Sequence, residues 1–377
     1  MFAGPAEFIE VAEDQSGLDR ILEALPPGPA VFLLWPEQGR PYLGKTALLR
    51  RRLKRMLRAR QQPSRLLNLR NVVRRIEYRP VASQLEGHLV LYELARQHVD
   101  EYLKFLKLRM PPYVKLILSN PFPRTQVTSR ITGGAGRYYG PFRARVSAET
   151  FEHQFLDLFQ LRRCQEDLTP SPDHPGCIYG EMGMCLRPCQ QVVSQEEYAS
   201  ETARVSEFLS TSGRNLKQTA EAARDRLSAE MNFEEAARQH KRIEKIDQVL
   251  KQRDELVADA GLLCGVAVTP SLQAESVNLW FVLRGAWLAP RGFRVAASAE
   301  GAGSLDHRLR EVAAGLSSKD VPLRERQEHL ALLARWYYST WREGEWLPFG
   351  GPEEIPYRKL VGAISRVAAA SAGATKL

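Results

Sequence analysis

Residues 29–57 read PAVFLLWPEQGRPYLGKTALLRRRLKRML, and two different periods meet in that stretch. Pro29 to Trp35 is a short apolar run that suits a buried strand. Glu37 to Arg40, with Gly39, supplies a turn, and Arg40 to Gly44 begins a second strand. From Thr46 to Leu57 the spacing becomes helical: Leu49, Leu53, Met56 and Leu57 share one face, and the arginines take the others. A hairpin leading into a basic helix is therefore the first unit of an α+β fold.

Working outward, Val72 to Tyr78 reads as a third strand and Leu85 to Leu106 as one long helix. Tyr113–Leu118 and Arg124–Thr128 read as strands around Asn120–Pro123. An aromatic glycine turn, Arg137 to Phe142, precedes a helix over Ser147–Leu161. Cys164 to Cys189 reads as loop, and helices fill Ser194–Leu256 with a break near Ser210–Arg214. Leu262–Val268, Ser276–Arg284 and Phe293–Ala297 alternate in period 2. Helices follow over His307–Leu316 and Leu323–Glu343, and a small, polar tail after Ala368 is expected to fray.

A chain of 377 residues suits two or three domains. With 44% hydrophobic and 26% charged residues it has an ordinary globular composition. No apolar run is long enough for a membrane span, and Met1 to Gln15 lacks a signal-peptide pattern, so a cytoplasmic protein is expected. The net charge of +9 admits a polyanionic partner, and its distribution sharpens the point. Gly39 to Arg75 carries thirteen Lys or Arg, among them Lys45, Arg50, Arg51, Arg52, Arg55, Arg58, Arg60 and Arg65, and no acidic residue. A phosphate backbone would relieve that self-repulsion through counterion release; a solvated basic helix is the alternative.

Four of the five cysteines, Cys164, Cys177, Cys185 and Cys189, follow the spacing C-x12-C-x7-C-x3-C among Pro and Gly. Four thiols within 26 residues suit tetrahedral zinc or an iron–sulfur cluster, with four unrelated free thiols as the alternative. Cys264, inside an apolar strand, reads as a small buried hydrophobe.

Taken together, these segments resemble the UvrC family of nucleotide-excision-repair nucleases. Leu161–Cys164, Gly176–Tyr179 and Met184–Cys189 follow its cysteine region, L-R-x-C, P-C-x-x-Y and G-x-C-x-x-P-C. Arg137–Phe142 is similar to R-Y-F-G-P-Y/F, Ala30–Phe32 to its G-I/V-Y strand, and Tyr42–Lys45 to Y-I/V-G-K. Ser83–Glu86 is similar to the start of S-E-x-E-A-x-x-L-E-x-N-L-I-K. Phe233, Glu234, Ala236 and Ala237 resemble the F-E-x-A-A core of the UVR hairpin that binds UvrB. The resemblance implies a GIY-YIG-like antiparallel sheet with helices over 1–118. It further implies a linker and cysteine-cluster module over 119–193, a helical region with a UVR-like hairpin over 194–256, and a small C-terminal α/β piece over 257–377. That last piece would be only the beginning of the segment after the hairpin, without a complete RNase H-like or helix-hairpin-helix domain. A 4Fe-4S cluster on the four cysteines is implied, with zinc as the alternative.

A GIY-YIG nuclease uses one divalent metal held by a glutamate, with a tyrosine base and an arginine facing the phosphate. Carried over position by position, the resemblance keeps Tyr42 and Arg52 as catalytic remnants. The other positions are degenerate: Phe32 and Met56 stand for two tyrosines, Leu91 for the metal glutamate and Leu103 for its companion asparagine. A leucine offers no oxygen to Mg²⁺ or Mn²⁺. The expectation is a DNA-binding repair protein with its nuclease activity lost or weakened, a pseudoenzyme binding through Lys45, Arg50, Arg51, Arg55 and Arg58. One alternative is an active Cho-like single-incision endonuclease that recruits Glu93 or Glu86. Another is a non-catalytic scaffold or RNA-binding protein. His240 and Lys241 replace the family's R-D pair, which weakens the expected UvrB contact and leaves a purely intramolecular helix pair as the alternative.

Overall fold

The computed structural model describes residues 2–12, 17–59, 67–295 and 304–374, with side chains to 371. Arg60 and Arg65 of the basic stretch, and the end of the Phe293–Ala297 strand, lie outside the described residues.

The N-terminal unit comprises β1 (Glu7–Glu10), α1 (Leu18–Ala24), β2 (Ala30–Pro36), β3 (Tyr42–Thr46), α2 (Leu49–Leu57), β4 (Val73–Pro80), α3 (Gln84–His98) and α4 (Tyr102–Leu106). Its strands form one antiparallel sheet in the order β1-β4-β2-β3. Side chains alternate across β2. Ala30, Phe32 and Leu34 pack with Leu49, Leu53, Met56 and Leu57 of α2, whereas Val31 and Leu33 pack with Leu85 and Leu89 of α3. Helices therefore cover both faces. Phe32 lies opposite Gly44, where a Cβ would come within 2.6 Å of the Phe32 ring, so only glycine fits beneath it. The single helix read over Leu85–Leu106 is two helices, because the chain turns extended at Val99 (φ −128°).

The middle unit comprises β5 (Tyr113–Ile117), β6 (Arg124–Thr128), β7 (Gly136–Gly140), α5 (Arg145–Leu156), α6 (Ile178–Glu181), α7 (Gln195–Thr211), α8 (Arg214–Ala229), α9 (Phe233–Lys251) and β8 (Ala258–Asp259). Its sheet runs β6-β5-β7-β8. Because β5 pairs with β6 and β7 rather than with the N-terminal sheet, the boundary drawn at 118 moves to before Tyr113. The Arg137–Phe142 turn is mostly strand. Tyr138 and Tyr139 are buried, Tyr139 stacking on Phe151 in a core with Phe155, Phe208 and Tyr198, so neither ring is available to a base.

The C-terminal unit comprises β9 (Cys264–Pro270), β10 (Ser276–Leu283), β11 (Ala286–Trp287), β12 (Arg291–Arg294), α10 (Leu305–Ala314), α11 (Leu323–Tyr337), β13 (Glu345–Phe349) and α12 (Tyr357–Ala374). The antiparallel sheet β11-β10-β9-β13, with β12 also on β10, has α10 and α12 against one face and α11 against the other. The tail expected to fray continues α12 as far as Ala374, beyond buried Leu360, Ala363, Ile364 and Val367 at helical spacing; 375–377 lie outside the described residues.

One core runs from α3 through α11 to the C-terminal sheet. Polar contacts reinforce it. Buried Glu328 accepts from Tyr92 (2.7 Å), Tyr102 (2.8 Å) and Arg324 (3.2 Å). Arg96 pairs with Glu325 at 2.9 Å, and Glu343 accepts from the Gln84 amide at 3.0 Å. His329 accepts from the Trp287 amide through Nδ1 (3.2 Å), and burial pushes its pKa from 6.5 down to about 4. Between those values the unfolded chain binds a proton that the folded chain refuses, so stability should fall as the pH drops from about 6.5 towards 4. Urea midpoints measured from pH 7 to pH 5, above the range of most carboxylates, should show that slope, to which buried His88 contributes in the same sense, and His329→Gln should reduce it without abolishing it.

Candidate nucleic-acid interface and cysteine module

The burial of Leu49, Leu53, Met56 and Leu57 fixes how α2 is turned, and hence which arginines face outward. Arg50 donates to the Leu25 carbonyl (2.6 Å), Lys54 pairs with Glu23, and Arg70 pairs with Asp19 (2.8 Å). Arg51, Arg52 and Arg58 have no side-chain hydrogen bond or ion pair among the described residues. The first turn holds three arginines and no acid, against the helix dipole, at a cost of about 0.3–1 kcal/mol each. An anion laid along that end would reverse the sign of this term.

Tyr42 is half-buried on the α2 face, its ring 6.2 Å from Phe32. Phe32 and Met56 are core residues on that same face. Leu91 and Leu103 pack into the cluster on the opposite face, the one shared with α11. The structure thus brings Tyr42 together with Phe32 and Met56 but leaves Leu91 and Leu103 across the sheet.

The two alternative glutamates are engaged elsewhere. Glu86 accepts from the Ala82 amide (2.7 Å) while its own amide donates to Ser83 Oγ (3.1 Å), the reciprocal pair that starts α3. Burial raises its carboxyl pKa. Glu93 accepts from the Phe2 and Ala3 amides at 2.6 and 2.8 Å. Burial alone would raise its pKa, but the chain's terminal ammonium, with these amides adding, outweighs it and holds the carboxyl below its ordinary value.

Lys45 leaves the arginine set. It faces α3, where Nζ donates to Gln84 Oε1 (3.0 Å) and lies 3.1 Å from His88 Nε2. His88 Nδ1 lies 2.7 Å from the Gln84 carbonyl, and its ring stacks on Trp341. Burial, with Arg335 adding, pushes Lys45 down to about 8; burial and Lys45 push His88 down to about 3. Periodicity could not reveal this cluster, because Trp341 lies some 250 residues from its partner.

In the cysteine module, Cys185 and Cys189 are buried, Cys164 is half-buried and Cys177 is exposed. Cys177 precedes α6, and Cys189 lies in a 3-10 turn, Pro188–Gln190, flanked by left-handed Arg187 and Gln191. Burial pushes the Cys185 thiol up to about 11, and the other three cysteines add to the shift. The Arg187 amide donates to Cys185 Sγ (3.4 Å) and Arg162 to Cys164 Sγ (3.5 Å). Among the described residues, no three His, Cys, Asp or Glu side chains are grouped to hold one metal ion. Cys264 is buried in β9.

The predicted helical hairpin is α8 against α9, joined through Ala220, Ile243 and Ile246. Its tip exposes Met231 and Phe233; Glu234 and Ala237 face solvent and Ala236 is buried. His240 lies 3.6 Å from Glu244 on α9, and Lys241 is exposed.

Residues 112–208 match the UvrC/Cho excinuclease, middle domain, which covers β5 to α7 with the four cysteines. The chain is similar to UvrC-family proteins. UvrABC system protein C of Moorella thermoacetica is 31% identical over 253 residues, 65% of this chain and 40% of that protein. The Gloeobacter violaceus protein of the same name is 28% identical over 368 residues, 95% of this chain and 58% of that one. That of Lachnospira eligens is 25% identical over 74% of this chain and 46% of its own length. The chain thus spans about half the length of the curated relatives it matches. No solved structure matches it. No described helix is long and apolar enough to cross a membrane.

Proposed function

We propose that this chain is a nucleotide-excision-repair protein of the UvrC type that binds DNA through a GIY-YIG-fold N-terminal domain and does not cut it. The observation that carries this reading is the fate of the carboxylates on α3. Leu91 is partly buried against the core shared with α11, Glu86 caps the helix and Glu93 accepts the Phe2 and Ala3 amides, so both carboxylates of α3 are already engaged elsewhere. The unpaired arginines of α2 support the binding half. Reversing Arg51, Arg52 and Arg58 to Glu should weaken duplex binding for all sequences alike. It should also lower the log–log salt slope by up to about 0.9 per lost phosphate contact. Fluorescence anisotropy between 50 and 200 mM salt reads both, and an unchanged slope in a folded triple variant would assign the arginines to solvent. Structured RNA as competitor separates the RNA-binding alternative.

We further propose that the four cysteines carry a 4Fe-4S cluster. Four soft donors within 26 residues, two of them buried, suit such a centre. Anaerobically purified protein should be brown, and Cys185→Ser should remove the iron and the broad visible absorption; stoichiometric zinc without iron would reject the cluster. The exposed Met231 and Phe233 at the hairpin tip support a UvrB-type protein as partner.

A further inference from the structure

Arg162 is 1% exposed and stands two residues before Cys164. Its Nε donates to the Phe122 carbonyl (2.8 Å), and its Nη1 to the carbonyls of Glu166 (2.8 Å) and Cys164 (3.3 Å) and to Cys164 Sγ (3.5 Å). Its Nη2 is buried without any hydrogen-bond partner. No carboxylate pairs with it among the described residues. Arg163 provides the contrast in charge: its side chain, 6% exposed, is paired with Asp157 at 2.7 Å, although its Nε and Nη1 are also buried without a hydrogen-bond partner. A guanidinium does not give up its proton in a protein, and a buried charge without a countercharge is strongly disfavoured. The neutral carbonyls satisfy its geometry but not its charge. The ionisable side chain that its guanidinium reaches is Cys164, and metal ligation is what makes a cysteine a lasting thiolate; the nearby Tyr198 hydroxyl, which accepts from the Arg162 amide at 2.9 Å, is kept protonated by burial.

We propose that Arg162 is the charge partner of the cysteine centre: a positioning residue whose buried guanidinium balances the net negative charge of a four-thiolate metal site. The proposal rests on the reading of the four cysteines as one metal centre. The unspent Nη2 donor is the place left for an anionic sulfur. A purely structural role, tying the Phe122 loop to Glu166, would need the carbonyl contacts but not the charge.

Two variants of the full chain separate charge from hydrogen bonding. Arg162→Lys keeps the charge and loses most of the donors; Arg162→Gln can still bond a carbonyl but is neutral. Iron and sulfide per chain, and the midpoint potential followed by visible absorption, are the readouts. Arg162→Lys should retain the centre. Arg162→Gln should weaken it by about 10–100-fold in metal affinity, as expected for loss of an outer partner. Whatever centre remains in Arg162→Gln should have a more negative potential, because the added electron loses a nearby positive charge. Equal loss in both variants, or full iron at an unchanged potential in Arg162→Gln, would overturn the proposal. Zinc in the unmodified protein would remove the cluster reading alone, since zinc content in the same two variants would still decide the role of Arg162. Absence of any metal in the unmodified protein would overturn both.

Discussion

Damaged or undamaged plasmid incubated with the full chain and Mg²⁺ or Mn²⁺ should remain uncut under conditions in which the protein is bound to it, with or without a UvrB-type partner. Tyr42 and Arg52 can approach a phosphate, but neither supplies an oxygen cage for a divalent ion, and the position expected to do so is Leu91 in a packed core. A metal's Lewis-acid contribution is worth several kcal/mol, and each ~1.4 kcal/mol is a factor of ten, so the deficit is on the order of a thousandfold or more. Leu91→Glu alone should not restore cutting. The new carboxylate would enter the apolar cluster shared with α11, while Phe32 and Met56 would still fill the two tyrosine positions on the other face of the sheet. Metal-dependent nicking that disappears in Glu93→Gln or Glu86→Gln would refute the argument, because each of those side chains would then have to leave the amides it now holds. Gel assays for nicked circles, run beside a binding measurement on the same sample, decide the matter.

The sequence was informative where local period and chemistry coincide. The Pro29–Leu57 hairpin and helix, the four cysteines and the α8–α9 hairpin each carry a signal within a few dozen residues. Elements defined by distant partners were hidden. Tyr113–Ile117 reads as a strand, but nothing in it says that it pairs with Arg124–Thr128 and Gly136–Gly140 rather than with the N-terminal sheet. The end of α12 looks like a frayed tail because its residues are small, although Leu360, Ala363, Ile364 and Val367 keep helical phase. Lys45 belongs by sequence to a basic stretch and in space to His88, because alternation along β3 turns it away from α2. Glu86 and Glu93 looked like spare metal ligands until their amide partners were visible. Charge counting finds acids; only the fold shows which are already engaged.

Glu328→Ala should cost about 3–5 kcal/mol, the usual penalty for removing one member of a buried charged network. The carboxylate is 1% exposed and is reached by Tyr92, Tyr102 and Arg324 from two separate units of the chain. Its loss strands the buried Tyr92 hydroxyl, whose other partner among the described residues is Arg96 at 3.3 Å, itself a donor. Each buried donor left unpaired costs about 1–3 kcal/mol, whereas the well-exposed Arg324 adds little. Glu328→Gln, which keeps the shape and one acceptor, should lose less than half as much. Because the chain has several units, a single unfolding midpoint would blur the effect, and hydrogen exchange localises it better. Protection should fall together in α3 and α11, on either side of the carboxylate, while the middle unit around Phe151 and Phe155 keeps its own. Loss confined to α11 would mean that Glu328 organises its own helix and does not join the units. Tyr92→Phe then provides the closing half of the argument. Combined with Glu328→Ala it should cost much less than the sum of the single changes, because the hydroxyl that the first change strands is the one the second removes. Additive costs would show that the Tyr92–Glu328 contact does not hold α3 against α11.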